Sequence, residues 1–346
     1  MIEKHEEMEA AAEGQPDQPE QRIFAPDQMV RCEDCLRANP PTRTSCLYCG
    51  AGLPVDESNA AWQRPTLRQL EKWEQGYNTI ILPGEGANLS VEDLNETARW
   101  LRLSAEDFQS LLSAAQPLPL ARSSSLDEAA LIERRLAGLG LSLLTLADKD
   151  LLPGNSGPQR VRAVELQDEA LVLYPTGGGA PSSLMWAELL LLVSGRLFVR
   201  QVELEEHRRR GTEHEIVNSS ELSADEAVID LYTARGMGWR VAANNFDFSS
   251  LGQRKALVAA ENFRTLVQTL RERAPRAKYD DSYMGLRRLL SVVWRLEQRT
   301  EAGGWRHGRL GKFNTGSMTI TDNETQFTRY SRLRFFLKSN HPELAL

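Results

Sequence analysis

Cysteine is scarce in this chain: 346 residues carry four, too few for a small secreted fold framed by disulfides. Long apolar runs are missing too. The longest, Leu184 to Val193, is broken by Glu188 and falls well short of the ~20 residues a bilayer span needs. The opening MIEKHEEMEAAAEG has neither the basic start and apolar core of a secretory signal nor the Arg-rich make-up of a transit peptide. A cytoplasmic location and no membrane partner are therefore expected. Histidine is thin and scattered (His5, His207, His214, His307, His341), with no HExxH or Cys/His spacing to hold a catalytic metal. His207 and His214 fall in a Glu/Arg-rich stretch that reads as a solvated loop. Gly177 to Gly179 lacks the Gly-Lys-Ser/Thr continuation of a phosphate cradle, and Gly311-Lys312 runs into Phe313. The chain reads as non-enzymatic.

Charge is unevenly placed. The net charge is −7, yet Met1 to Pro26 alone holds seven acids against two bases, while Arg287 to Lys338 holds eleven bases against four acids. The first 26 residues are rich in Glu, Gln, Pro and Ala and too poor in apolar side chains to offset ordering entropy, so a disordered acidic tail is expected there.

The four cysteines form two CxxC pairs, Cys32-Glu-Asp-Cys35 and Cys46-Leu-Tyr-Cys49. Thiols in the cytosol are kept reduced, and two such knuckles can aim four thiolates at one tetrahedral ion. A single structural zinc ion is expected, with no open coordination position for catalysis. Gly50, just after the second pair, suits a residue with positive φ. The spacing, with Asn39 between the pairs, resembles the Ran-binding-protein type zinc finger and related bacterial zinc ribbons. Members of that family bind ubiquitin or single-stranded RNA. Here Val30 stands at the family's Trp and Leu36-Arg37 at its Thr-Phe pair, so only the ligands Cys32, Cys35, Cys46 and Cys49 are carried over. Arg31, Arg37 and Arg43 form a candidate basic face.

The expected fold is α+β and multidomain: a four-cysteine zinc ribbon over 27–52, a linker and short helix over 53–76, and a small βααβαβ domain over 77–152. A partly open β-barrel with a closing helix follows over 158–275, and a basic helical and extended segment over 276–346. Thr66 to Gly76, with Leu67, Leu70 and Trp73 at helical spacing, reads as the short helix. Ser90 with Asp93, and Ser104 with Asp107, mark two helix starts, and Ser125 to Gly138 reads as a third helix. The order β-α-α-β-α-β over 77–150 resembles the fold of the ClpS-type protease adaptor and the C-terminal domain of the ribosomal stalk protein. That likeness implies a protein-docking module.

Beyond the Pro153–Pro158 breaker, strands are expected at Arg160–Leu166, Ala170–Tyr174 and Leu184–Val199, then a polar excursion from Glu203 to Glu226. Strand character returns at Ala227–Ala234 and Trp239–Phe248. An amphipathic helix over Arg254–Arg273 puts Leu257, Ala260, Phe263, Leu266, Val267 and Leu270 on one face. This order, with Trp186 to Leu190 in a strand, resembles bacterial pleckstrin-homology-like domains. A helix is expected at Tyr283–Gln298, extended pieces at Trp305–Phe313 and Ser317–Thr321, and an apolar run at Leu333–Leu337. The functional expectation is a cytosolic adaptor or scaffold that contacts protein partners. The alternative is a nucleic-acid binder that uses the ribbon and the C-terminal aromatics Trp294, Trp305, Phe313, Phe327, Tyr330, Phe335 and Phe336 among their arginines.

Overall fold

The structure, a computed structural model, describes residues 24–54, 63–71, 73–84, 89–152, 158–208, 214–236, 238–307 and 313–341, with backbone alone at 206–208, 214–217, 303–307 and 313–315. Residues 1–23 of the expected tail, 55–62 of the linker and the 153–157 breaker lie outside the described residues. The chain divides into two compact units, residues 1–64 and 65–346.

The small unit holds one antiparallel pair, β1 (Val30–Arg31) with β2 (Ala38–Asn39), and an isolated bridge between Ser45 and Gly52. Its core is Cys32, Cys46 and Leu53, with Val30, Cys35 and Ala51 packed around them. So few apolar groups cannot stabilise a fold by burial alone.

The large unit opens with β3 (Tyr77–Ile81), α1 (Val91–Trp100), α2 (Ala105–Ser113), β4 (Leu118–Ser123), α3 (Leu126–Ala137) and β5 (Leu143–Ala147). This is the expected βααβαβ order, closed by the short α4 (Asp148–Leu151). The Ser90 and Ser104 hydroxyls accept the N–H of Asp93 and Asp107 as their spacing predicts, and Ser125, expected inside its helix, is likewise an N-cap that accepts the N–H of Glu128. β3 lies between β4 and β5, antiparallel to both. Its register against β4 slips at Thr79/Ile80, opposite Pro119, which has no N–H to give the ladder.

The second sheet is a curled half-barrel. It contains β6 (Gln159–Leu166), β7 (Ala170–Pro175), β8 (Ser182–Met185), β9 (Leu189–Arg208), β10 (His214–Thr233), β11 (Gly238–Ala242), β12 (Lys278–Asp280), β13 (Glu297–His307) and β14 (Phe313–Asp322), in the order β13-β14-β9-β10-β11-β6-β7-β8. β12 runs parallel to β9 at Leu191–Val193, below the stretch Val199–His207 that pairs with β14. One face packs on α5 (Ala259–Arg273) through Phe263, Leu266, Val267 and Leu270, against Leu171, Leu192, Ile229, Leu231 and Val241. α6 (Tyr283–Val293) and α7 (Glu324–Asn340) complete the unit. Gly195 lets α7 lie close to β9, because a Cβ there would meet the Phe327 ring at 2.4 Å.

Several expectations fail for identifiable reasons. The described part of 66–76 is not helical. The Glu128 carboxylate takes the Thr66 hydroxyl (3.0 Å) and the Leu67 N–H (2.8 Å), holding Leu67 at φ 38°, and Trp73 is exposed. Trp186 to Glu188 is a 3-10 turn rather than strand, since Glu188 folds back to accept the Met185 N–H. The described part of the polar excursion is a ladder with a register shift at Ile216/Asn218: β9 and β10 pair from Leu189/Thr233 out to Arg208/His214, so His207 and His214 sit on strands and not in a loop. α5 starts at Ala259 and not Arg254. Asn262 grips both backbone groups of Ala256, leaving Leu257 and Ala260 exposed instead of on the buried face. α6 stops at Val293 because the Trp294 carbonyl accepts from Gln326 (2.8 Å).

Candidate metal centre

The four cysteine sulfurs converge. Cys32 Sγ lies 3.6 Å from Cys49 Sγ, Cys35 Sγ lies 3.5 Å from Cys46 Sγ, and all four fall within 4.8 Å of one another. These are not disulfide distances, and all four thiols are free. A tetrahedron of thiolates at the usual 2.3 Å from zinc has edges of roughly 3.8 Å, so the sulfurs already surround a space of that size. The set can hold a metal ion.

Two equivalent turns build the site. In the first knuckle the Leu36 N–H bonds the Cys32 carbonyl (2.9 Å) and the Cys32 N–H bonds the Arg37 carbonyl (3.0 Å). In the second, Gly50 N–H bonds the Cys46 carbonyl (3.1 Å) and Cys46 N–H bonds the Ala51 carbonyl (2.7 Å). Each turn places the residue after its second cysteine in the left-handed region: Gly50 at φ 79°, as its position predicts, and Leu36 at φ 60°. A side chain at the second of these sites is unusual, and only the closed turn around it enforces that conformation.

Asn39 ties the knuckles together. Fully buried, it donates to the Arg37 carbonyl (2.9 Å) and toward Cys46 Sγ (3.4 Å), while its own oxygen accepts the Leu47 N–H (2.8 Å). Burial raises the Cys46 thiol, but N–H groups of Tyr48 and Cys49 and the Asn39 amide outweigh it and bring that thiol down to about 6. At Cys49 the Ala51 N–H works the other way; loss of water and the three neighbouring sulfurs prevail, pushing it up to about 12. Four thiolates in this space need a cation among them.

The outer surface is apolar at the tip of the second knuckle and just past the first, whose own tip carries the exposed acids Glu33 and Asp34. Leu36, Leu47 and Tyr48 are 66%, 54% and 56% exposed, and the Arg37 guanidinium lies 4.7 Å from the Tyr48 ring centre. Arg43 turns its Nε to the Ser45 carbonyl (3.2 Å), and Arg31 is exposed. Leu36 stood out in the sequence only as a departure from the family's Thr-Phe pair, while Leu47 and Tyr48, an apolar pair inside a CxxC, carry a signal that went unread.

The basic, aromatic C-terminal stretch is placed differently. Trp294, Phe327, Tyr330 and Phe335 are buried, so these rings belong to the core. Arg334 pairs with Asp280 (2.5 Å), which also accepts the Tyr330 hydroxyl, and Arg329 lies 3.7 Å from Asp148. Asp148 in turn accepts from Gly76 N–H, Asn78 and Arg122. No family model, curated protein or solved structure matches this chain.

Proposed function

We propose that this chain is a non-enzymatic cytoplasmic adaptor whose ribbon is held by one structural zinc ion and presents its knuckles to a protein partner. The observation that carries the reading is the pairing of a closed four-sulfur set with exposed Leu36, Leu47 and Tyr48 directly outside it. An all-thiolate tetrahedral set favours zinc among the common divalent ions and leaves no position for substrate. Rigid apolar side chains on so small a fold lose little entropy when a partner covers them. In the same reading, residues 77–152 resemble the ClpS-type docking fold and 158–275 a pleckstrin-homology-like half-barrel, two modules suited to protein contacts; fold analogy is associational support.

The test has two arms. Cys46→Ser should lose zinc by elemental analysis, and full retention would refute the ligand set. Replacing Tyr48 with a photocrosslinking benzophenone amino acid should capture one protein in a manner abolished by Leu36→Asp in the metal-loaded chain. No capture, or capture indifferent to Leu36, sinks the adaptor reading. The Arg37 stack over Tyr48 favours one further reading, in which that exposed pair receives a nucleobase. Binding to single-stranded RNA that weakens steeply with salt would support it, and no binding at low salt would dispose of it.

A further inference from the structure

β10 carries two different edges. From Val228 to Tyr232 it is covered by β11, and the Ala227 carbonyl still accepts the Ala243 N–H (2.8 Å). Between that point and the register shift at Ile216/Asn218, the stretch Asn218–Glu226 pairs regularly with β9 on one side and, among the described residues, with no strand on the other. Antiparallel ladders alternate the direction of their backbone groups. Because Ala227 points away from β9, so do Ser219, Glu221, Ser223 and Asp225, whose N–H and C=O groups form an open row.

Such edges are usually blunted by proline, lysine, bulges or brevity. The other edges of this sheet show these devices: β8 is four residues long, and β13 has a bulge at Ala302/Gly304 with Arg299 and Glu301 beside it. Asn218–Glu226 contains no proline, no lysine and no bulge. Its acids are all engaged within the sheet. Arg200 takes Glu221 through two bonds of 2.8 Å, Arg196 lies 3.9 Å from Asp225, and Glu226 accepts the Asn244 N–H at 2.8 Å. Leu222, at the centre of the row, is 65% exposed, and Val199 on the same face is 38% exposed.

We propose that this edge is a docking surface for a second copy of the chain, joined as an antiparallel pair of β10 strands about a two-fold axis through Leu222. The occupant follows from charge and register. A two-fold axis normal to the sheet keeps each side chain on its own face, so the axis must pass through a residue. Centred on Leu222, Glu221 meets Ser223 of the other copy, Asp225 meets Ser219, Glu226 meets Asn218, and no two acids oppose. Centred on Glu221, two glutamates collide; centred on Ser223, Glu221 faces Asp225. An axis through Ser220 runs into the register shift, and one through Ala224 runs into β11. The Leu222 register is the longest that avoids both obstacles, and it brings the two exposed leucines together as a close, non-hydrogen-bonded pair.

Sedimentation of the metal-loaded full chain tests this. The wild type should run as a dimer. Ser223→Pro removes one outward N–H at an edge position where proline is tolerated, and should give a monomer with unchanged circular dichroism. Leu222→Lys and Leu222→Asp should each be monomeric alone and form a one-to-one dimer when mixed, because the proposed axis sets those two positions opposite each other. A monomeric wild type at all concentrations overturns the proposal. So does a dimer that survives both Ser223→Pro and Leu222→Lys, or a failure of the mixed charge pair to associate.

Discussion

Arg240 and Asp230 form a fully buried ion pair between β11 and β10, with side chains 1% and 0% exposed. Two hydrogen bonds of 2.7 and 2.8 Å join them, Thr328 of α7 accepts a third from Arg240 (3.1 Å), and Glu324 a fourth (3.2 Å). Burial opposes the arginine's charge, yet the Asp230 carboxylate outweighs it, and the Arg240 pKa is raised. Removing Arg240 leaves the Asp230 charge buried without a partner, and removing Asp230 leaves the buried Arg240 only the half-exposed Glu324 as counter-charge. Asp230→Leu or Arg240→Met alone should therefore cost about 3–5 kcal/mol, a large part of the 5–15 kcal/mol typical of a folded domain. The double variant strands nothing. Glu324 is half exposed and can return to water, the Thr328 hydroxyl already bonds the Glu324 carbonyl (2.8 Å), and methionine preserves the contact that Arg240 makes over the Phe327 ring. It should fall within about 1 kcal/mol of wild type, the usual behaviour when a buried pair is replaced by apolar groups. Urea titration of the four proteins closes the cycle, and a coupling energy of at least ~2 kcal/mol is expected. Single variants costing under about 1 kcal/mol, or a double variant costing the sum of the two, would refute the reasoning.

Two more predictions rest on buried carboxylates. Burial raises the Asp148 pKa, but Arg122, Asn78 and the nearby Arg329 outweigh it and hold the carboxyl below its ordinary value. Its contribution is thus present above the unfolded value of about 3.9 and lost as pH falls further; Asp148→Asn should flatten the acid limb of a stability profile, and an unaltered limb would contradict the assignment. Glu128 is 1% exposed and holds Thr66, Leu67 and the Ser124 N–H at once. Glu128→Ala should open residues 66–71 to proteolysis while leaving α3 its Ser125 cap, and an uncut chain would show that other contacts fix the segment.

Local chemistry was readable wherever the sequence pattern and the environment agreed. The two serine–acid pairs read as helix starts, Ser90 with Asp93 and Ser104 with Asp107, do cap helices, and the cysteine spacing identified all four converging sulfurs. What escaped notice was structure imposed from a distance. α7 was visible only as the apolar run Leu333–Leu337, because the helix is surrounded: Gln326, Thr328, Ser331 and Arg334 are as buried as Phe327 and Leu333, which erases any one-sided pattern. The arm built from β9 and β10 was read as solvated loop because much of both its faces meets water, so its strands lack the apolar alternation of a half-buried sheet. The false helix at 66–76 had the right spacing. Its Leu67 N–H and Thr66 hydroxyl are claimed by Glu128, far along the chain.

The position of β9 also constrains the order of folding. Synthesised as residues 189–208, it pairs with β10 at once, but its other side is filled by β12 and β14 and then covered by α7, which ends at Asn340. A nascent chain emerging from the ribosome must hold the open side of that strand from Leu191 to Lys278 before β12 exists and from His207 to Asn314 before β14 does. Closure of the large unit is therefore a late event dominated by distant pairings, which slow folding and leave strand edges exposed meanwhile. For this protein the hazardous interval is during synthesis, when a chain with β9 and β10 complete but β14 absent offers both sides of an extended ribbon to any neighbouring copy.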